Sequence, residues 1–257
     1  MVEILFLGTG GGRFNLISQL RRTAGFCITG SFKIYVDPGP GSLLSCKKFL
    51  FDPRKVDILV VTHNHIDHTN DSGLIAEAMS DYSRRKKGLL IASKSVIDGD
   101  EFGDRGITKY HMGKLKRVLI ARHGKKILIV SGGKKAVFLP IRTKHEDASG
   151  FGFVLEMDGK KIGYTSDTEY FPGLPNSYSG CDLLIANNLK SAEDSVPGHL
   201  YSLTTARLLS ESKPKVAIIT HMGKRLILSG PEKEAKRISG LSNVRTIAAK
   251  DGMKIRV

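Results

Sequence analysis

The chain has 257 residues, and its hydrophobic content of 40% is enough to bury a sizeable core. No apolar run approaches the roughly 20 residues that span a bilayer, and the first residues lack the cationic start of a signal peptide, so we expect a cytoplasmic protein without a membrane segment. The net charge of +15 is unusual for an enzyme of small neutral substrates and indicates an anionic substrate or partner, such as RNA or a nucleotide.

Short apolar stretches in the first part of the chain predict strands at residues 3–7, 26–29, 33–36 and 57–62. The glycine-rich turn at residues 8–12 separates the first two strands. It lacks the Lys-Ser/Thr ending and the glycine spacing of the nucleotide-binding fingerprints. We therefore interpret it as a tight turn close to the floor of an active site.

Three histidines and one carboxylate crowd into residues 63–68, directly after the strand predicted at 57–62. They are His63, His65, Asp67 and His68. Neutral imidazole and carboxylate are the usual ligands of zinc and its neighbours, so the cluster predicts a metal site rather than a merely polar loop. A helix predicted at residues 71–87 follows, and the gap between a strand end and a helix start is where α/β folds place ligands.

Residues 105–144 contain twelve cations and no carboxylate. The cations are Arg105, Lys109, Lys114, Lys116, Arg117, Arg122, Lys125, Lys126, Lys134, Lys135, Arg142 and Lys144. A solvated basic face is one interpretation of this stretch. An electrostatic funnel that draws a polyanion towards the site is the other, and the sequence leaves both open.

The remaining elements alternate between strands and helices. Strands are predicted at residues 89–92, 117–121, 126–130, 136–141, 151–157, 160–164, 182–186, 215–220, 244–248 and 253–257. Helices are predicted at residues 203–212, with Ser202 as the cap, and at residues 231–240. The strand at 57–62 and the strand at 215–220 each lead to a histidine, so we predict one domain over residues 1–257, built of two similar halves with two packed sheets and outer helices.

Three further candidate ligands each follow a predicted strand: His145, Asp167 and His221. With the His-x-His-x-Asp-His pattern at residues 63–68, they resemble the signature of the metallo-β-lactamase superfamily. The resemblance implies an αββα sandwich of two mixed β-sheets flanked by helices. It also implies two divalent metal ions, for which zinc suits the imidazoles best and manganese or iron remain open. His63, His65 and His145 would hold the first ion, Asp67, His68 and His221 the second, and Asp167 would bridge them.

The segment Gly198-His199-Leu200 resembles a motif of the phosphodiesterase branch of this superfamily, which includes ribonuclease Z and the cyclic phosphodiesterase of phosphonate breakdown. In that branch the histidine acts on the phosphate or the leaving oxygen, so His199 would protonate the leaving group. Asp67 and Asp167 would position a hydroxide that bridges the two ions. Metal ions lower the pKa of bound water towards about 7, so this hydroxide would form at neutral pH.

The chain departs from both named enzymes. Leu200-Tyr201 stand where ribonuclease Z usually has Ser-Thr. Only 21 residues separate His145 from Asp167, and they predict a hairpin, so the arm that grips transfer RNA is absent. Three widely spaced cysteines do not reproduce the cysteine-rich zinc site of the phosphonate-pathway enzyme, and their odd number suits a reducing compartment.

These observations predict a dinuclear metal-dependent hydrolase, specifically a phosphodiesterase acting on RNA, a nucleotide or a cyclic phosphate. Two dications outweigh two carboxylates and a hydroxide, so an anionic ester fits the centre better than a neutral lactam or lactone. A thioester or lactone hydrolase of the same fold is one alternative, and a non-catalytic nucleic-acid-binding protein is another. A homodimer is also possible.

Overall fold

The computed structural model describes residues 1–192 and 195–257. The strands of these residues are β1 (Glu3–Phe6), β2 (Phe26–Thr29), β3 (Lys33–Val36), β4 (Ile58–Val61), β5 (Leu89–Ala92), β6 (Arg117–Ile120), β7 (Ile127–Ser131), β8 (Lys134–Arg142), β9 (Phe151–Met157), β10 (Lys160–Tyr164), β11 (Leu183–Lys190), β12 (Leu200–Tyr201), β13 (Val216–Thr220), β14 (Thr246–Ala248) and β15 (Lys254–Arg256). The helices are α1 (Gly12–Ser18), α2 (Ser42–Lys48), α3 (Ile66–Thr69), α4 (Ser72–Met79), α5 (Lys94–Asp98), α6 (Lys109–Gly113), α7 (Leu174–Ser177), α8 (Ser202–Ser212), α9 (Lys224–Ser229) and α10 (Pro231–Ser242).

The strands form two mixed sheets. The first has the order β15-β1-β2-β3-β4-β5-β6, and the second has the order β14-β13-β11-β10-β9-β8-β7 with β12 beside β11. Strands β3 to β6 run parallel, as do β10, β11, β13 and β14, whereas the remaining neighbours on these two paths are antiparallel. The predicted sandwich of two mixed sheets flanked by helices is therefore confirmed.

Apolar side chains fill three layers. Between the sheets lie aromatic residues such as Phe6 and Phe26 of the first sheet and Phe138 and Phe153 of the second. Two outer clusters join each sheet to its helices. Burying one such side chain contributes roughly 1.5–3 kcal/mol, so these layers hold the sheets face to face and fix the strand ends that carry the site.

The strands differ in how much of their surface is covered. Every residue of β4 is buried, as expected for a parallel strand with the second sheet on one side and helices on the other. In β8 the side chains alternate: Ala136 and Phe138 point into the core, while Lys135 is exposed and Val137 half-buried. One face of β8 therefore meets solvent.

The structure corrects two boundaries. The helix predicted at residues 71–87 ends at Met79. Asp81, Tyr82 and Ser83 then have φ values of 53°, 56° and 61°, a left-handed turn that no α-helix can continue through. The helix after His199 begins at Ser202, so its cap is Tyr201 rather than Ser202. No helix in the described part of the chain is both long and apolar enough to cross a membrane.

Candidate metal centre

Four strand ends meet at one edge of the sandwich and carry the candidate ligands. His63 lies two residues beyond β4, His145 and Asp167 lie three residues beyond β8 and β10, and His221 follows β13 directly. The short helix α3 places Asp67 and His68 at the same edge. The side chains predicted to form the site, from both sheets, are therefore brought together by the fold.

Among the described residues, the ligand atoms form four overlapping compact groups, and two of these are the predicted triplets. The other two are His63 with His68 and Asp167, and His145 with Asp167 and His199. In the first predicted triplet, which comprises His63, His65 and His145, all ligand atoms lie within 4.8 Å of one another, and His65 Nδ1 is 3.1 Å from His145 Nε2. The second predicted triplet comprises Asp67, His68 and His221. There, His221 Nε2 is 3.1 Å from His68 Nε2 and 3.2 Å from Asp67 Oδ2.

Asp167 lies between the two triplets. Its Oδ2 is 3.9 Å from His63 Nε2 and 3.6 Å from His68 Nε2, so one oxygen approaches one histidine of each triplet. The other oxygen, Oδ1, accepts a 2.7 Å hydrogen bond from the Asn187 side chain. Asp167 is therefore close to the donors of both triplets.

The donors fit divalent cations. His63 Nε2 is buried and has no hydrogen-bond partner, and an unpaired buried nitrogen is costly unless something else binds its lone pair. A ligated metal ion would satisfy it. The full set of imidazoles and carboxylates is also one that zinc accepts.

Hydrogen bonds behind the histidines aim their nitrogens at the centre. Nδ1 of His68 lies 3.0 Å from Asp37 Oδ2, and Nδ1 of His145 lies 2.9 Å from the Gly198 carbonyl oxygen. Because both partners only accept, each Nδ1 donates its proton to them, and in the neutral imidazole that a metal ion requires, Nε2 has its lone pair directed inward.

Asp37 does more than orient His68, and sequence reasoning did not include it in the site. It is buried and also accepts hydrogen bonds from the Thr62 amide at 2.8 Å, the Thr62 hydroxyl at 2.9 Å and the Tyr164 hydroxyl at 2.9 Å. It thereby links the end of β4 to the end of β10. Its sequence position could have predicted this role, because Asp37 lies one residue beyond β3 and Asp167 likewise lies just beyond a strand.

Asp147 was also missed. It accepts a 2.9 Å hydrogen bond from the Asn64 amide and further bonds from the hydroxyls of Ser95 and Ser149. These contacts join the loop of residues 63–68 to the segment that carries His145. The signal in the sequence was only its position two residues after that histidine.

The charges of the centre are strongly coupled. Burial lowers the pKa of His63, and neighbouring His68 adds to the effect. Burial also opposes protonation of His68, but the carboxylates around it outweigh burial and hold its pKa well above the usual range. For Asp167, burial favours the neutral form, yet the adjacent His221 and His68 keep its pKa well below normal. The acid is therefore ionised at neutral pH, as a metal ligand must be.

His199 lies beside the ligands without being enclosed by them. Its Nδ1 is 3.6 Å from Asp167 Oδ2, and its ring lies 4.8 Å from that of His145 and 6.2 Å, stacked, from that of His221. Its side chain remains 18% exposed, so it faces the mouth of the site. Burial lowers the pKa of His199 to about 4, with partial opposition from Asp167.

The predicted glycine turn does lie at the site. The Gly12 amide donates a 3.2 Å hydrogen bond to Asp67 Oδ2. A Cβ on Gly11 would come within 2.3 Å of the His221 ring, so only glycine leaves room for that ligand. By contrast, His111 and His123 lie away from the cluster, bonded to Glu77 and to the Gly150 carbonyl.

The chain matches the profile of the beta-lactamase superfamily domain over residues 33–222. It is 35% identical to an uncharacterized protein of Methanocaldococcus jannaschii over 100% of this chain and 95% of that protein. It is also 25% identical to a ribonuclease Z of Sulfolobus acidocaldarius, over 93% of this chain and 94% of the enzyme.

Solved structures share the fold at low identity. The metallo-β-lactamase fold protein YhfI from Bacillus subtilis superposes with a TM-score of 0.79 at 18% identity, over 99% of this chain and 98% of that one. A diphosphatase from the PhnP family gives a TM-score of 0.71 at 18% identity, over 99% and 97%. At such identities, the likeness concerns the fold alone.

Proposed function

The chain belongs to the beta-lactamase superfamily, and from this premise we propose that it is a metal-dependent phosphodiesterase acting on RNA, a nucleotide or a cyclic phosphate. The observation that carries the proposal is the position of His199. Its imidazole belongs to neither of the two predicted triplets, although His145, Asp167 and His199 also form a group compact enough to hold an ion. Its Nδ1 lies 3.6 Å from Asp167 Oδ2, and its side chain is 18% exposed. Hydrolysis of a phosphodiester needs such a group to protonate the leaving oxygen.

Two divalent ions would be held as the triplets indicate, with Asp167 between them; zinc suits the donors best, and manganese or iron are also compatible. Bound ions would supply Lewis acidity and a hydroxide nucleophile at neutral pH. The chain's own part is to orient the ligands through Asp37 and the Gly198 carbonyl, and to keep Asp67 and Asp167 ionised.

His199 would donate a proton to the leaving oxygen, and a bound phosphate would raise the pKa of His199 and so favour its protonated form. Burial keeps the ring neutral in the free protein, since its pKa is lowered to about 4. A phosphate anion beside the ring favours the charged form and raises the pKa again. Transfer of a proton from His199 to the leaving oxygen would contribute roughly 10²–10⁴-fold in rate.

The choice of substrate class follows from charge and from similarity. Two dications outweigh Asp67, Asp167 and a hydroxide, so the centre favours an anionic ester over a thioester or lactone. Similarity to a ribonuclease Z over most of both chains supports RNA. The segment between His145 and Asp167 is mainly the β9–β10 hairpin, which favours a short RNA, a nucleotide or a cyclic phosphate over transfer RNA gripped by an arm.

The test is turnover of bis-p-nitrophenyl phosphate. We expect hydrolysis that is lost on chelation, restored by zinc or manganese, and reduced by about 10²-fold or more in His199→Ala. His111→Ala, a histidine bonded to Glu77 on the surface, is the matched control and should retain activity.

Two outcomes would refute the proposal. Activity restricted to thioesters or lactones would replace it with the alternative hydrolase. Salt-sensitive RNA binding that survives metal removal, with no phosphodiester cleaved, would make the chain a nucleic-acid-binding protein instead.

A further inference from the structure

The outer face of the second sheet is covered unevenly. Helices α8 and α10 pack on the half that contains β11, β13 and β14. At the opposite edge, Leu128 and Val130 of β7 are 54% and 60% exposed. Leu128 stands directly opposite Val137 of β8, so the apolar surface continues onto the next strand. This apolar surface is available to a binding partner.

A groove of about 720 Å³ runs over β8, β9 and β10 on this face. Val137 and Leu139 contribute apolar surface to it, and Glu156 is the carboxylate in its lining. A smaller hollow of about 440 Å³ adjoins it and shares Lys161 with it. The basic and imidazole side chains that line the two are His123, Lys126, Lys135, Arg142, Lys160 and Lys161.

One end of the groove lies at the end of β8, and the loop that follows β8 carries His145. Arg142 is three residues before His145. His123 Nε2 lies 3.0 Å from the Gly150 carbonyl oxygen, and Gly150 itself packs against His63. From Arg142 back to Lys135, strand β8 carries the groove on the order of 23 Å away from the site, at about 3.3 Å per residue.

The cations of the groove are free to meet an outside anion. Lys126, Lys135 and Arg142 form no ion pair within the described ranges. Lys161 donates a 2.6 Å hydrogen bond to the Ser179 carbonyl oxygen, which is uncharged. The two hollows together are lined by two carboxylates, Glu156 and Asp158, and by five lysine or arginine residues, so their combined surface is electropositive on balance.

We propose that this groove binds the backbone of a single-stranded RNA whose scissile phosphate lies at the metal centre, an inference that rests on the proposed phosphodiesterase function. The cations of the groove are complementary in charge to the regularly spaced phosphates of an RNA backbone, and the row of cations leads towards the proposed phosphodiester-cleaving centre. The apolar residues between the cations provide surface for bases or riboses. Three of the twelve cations of residues 105–144 then have a defined task, because Lys126, Lys135 and Arg142 line the groove or the adjoining hollow.

The expected signature is a change in salt dependence. Each phosphate neutralised on a single strand contributes about 0.7 to the slope of log K against log salt. Replacing Lys126, Lys135 and Arg142 by glutamine should therefore lower the slope by about 2. The control is Lys233→Gln, Lys236→Gln, Arg237→Gln, three exposed cations on α10, which packs against β14 at the other edge of the same sheet.

Binding is measured by fluorescence anisotropy of a labelled oligouridylate of about 16 nucleotides, a length within the site sizes known for single-strand binders. All proteins carry His199→Ala in this assay, so that cleavage of the RNA is slowed by about 10²-fold or more during the measurement. With His199 in place, both triple variants should hydrolyse bis-p-nitrophenyl phosphate with unchanged kcat/KM, because that substrate does not extend into the groove.

The result that supports the groove is a loss of slope and affinity in the groove variant with little change in the control. Equal losses in both variants, or an unchanged slope in the groove variant, would overturn it. A polyglutamate peptide that binds more tightly than RNA and depends on the same three cations would assign the groove to an acidic protein instead. Groove-specific RNA binding without phosphodiester turnover would overturn the proposed function alone.

Discussion

Replacing Asp37 by asparagine tests whether a carboxylate that does not belong to the ligand triplets sets the metal affinity. The asparagine side chain can still accept from the Thr62 amide through Oδ1, which is 2.8 Å from that amide in Asp37. Its amide nitrogen, however, would stand where Oδ2 accepts from the Thr62 hydroxyl, the Tyr164 hydroxyl and His68 Nδ1. The hydroxyls can rotate and accept instead. His68 can adapt only by moving its proton to Nε2, the nitrogen aimed at the centre.

The expected loss follows from that tautomer change. Partners behind ligating histidines are worth about 10–100-fold in metal affinity, which corresponds to roughly 1.4–2.7 kcal/mol. Affinity is measured by competition for zinc with a chromophoric chelator. Asp52→Asn is the control, because Asp52 makes its side-chain bonds at the surface to Arg54.

The reasoning fails if Asp37→Asn binds two zinc ions as tightly as the parent protein. It also fails if Asp52→Asn loses affinity equally, since a general effect of removing one acid would then explain the result. Unfolding of the metal-free proteins in urea separates the two contributions, because the loss of charged hydrogen bonds to Asp37 should lower stability even without metal.

Three further predictions use other parts of the structure. Asp147→Asn should lower the free energy of unfolding by about 1–3 kcal/mol in urea, because Oδ2 accepts from the Asn64 amide; an unchanged midpoint would contradict that role. Gly11→Ala should reduce kcat by displacing His221, whereas Gly113→Ala, with open space around it, should not; equal activities would show that the ring can move aside. Zinc at about 100 times its dissociation constant should stabilise the protein by roughly 2.7 kcal/mol in thermal unfolding, and a constant melting temperature would argue against the site.

Much of the fold could be predicted because it rests on strong local patterns. Strand β4 is a continuous apolar run, and the β9–β10 hairpin contains the Asp158-Gly159 turn. Elements α1 and α2 could not be predicted, since seven residues are too few to establish a helical period. Helix α4 ends early because Asp81 has a positive φ. Nothing in the neighbouring sequence predicts that backbone conformation.

The candidate ligands could also be predicted from the sequence, because each follows a strand and the ends of these strands lie at the same edge of the sandwich. The residues that support them were not. Asp37 sits in a Pro- and Gly-rich loop that reads as a turn, and its bond to Tyr164 spans 127 residues. Asp147 reaches the Asn64 amide across 83 residues. Contacts of this kind exist only once both sheets have docked.

The division of the ligands between the sheets has a mechanical consequence. His63, His65, Asp67 and His68 belong to the first sheet, while His145, Asp167 and His221 belong to the second. Bound cations would act as cross-links at that edge of the sandwich, joining two layers otherwise held there by contacts such as the 2.7 Å bond from Ser166 to Thr62. Without them, this edge should open first, and amide exchange should be fastest along the loops that the cross-links would clamp.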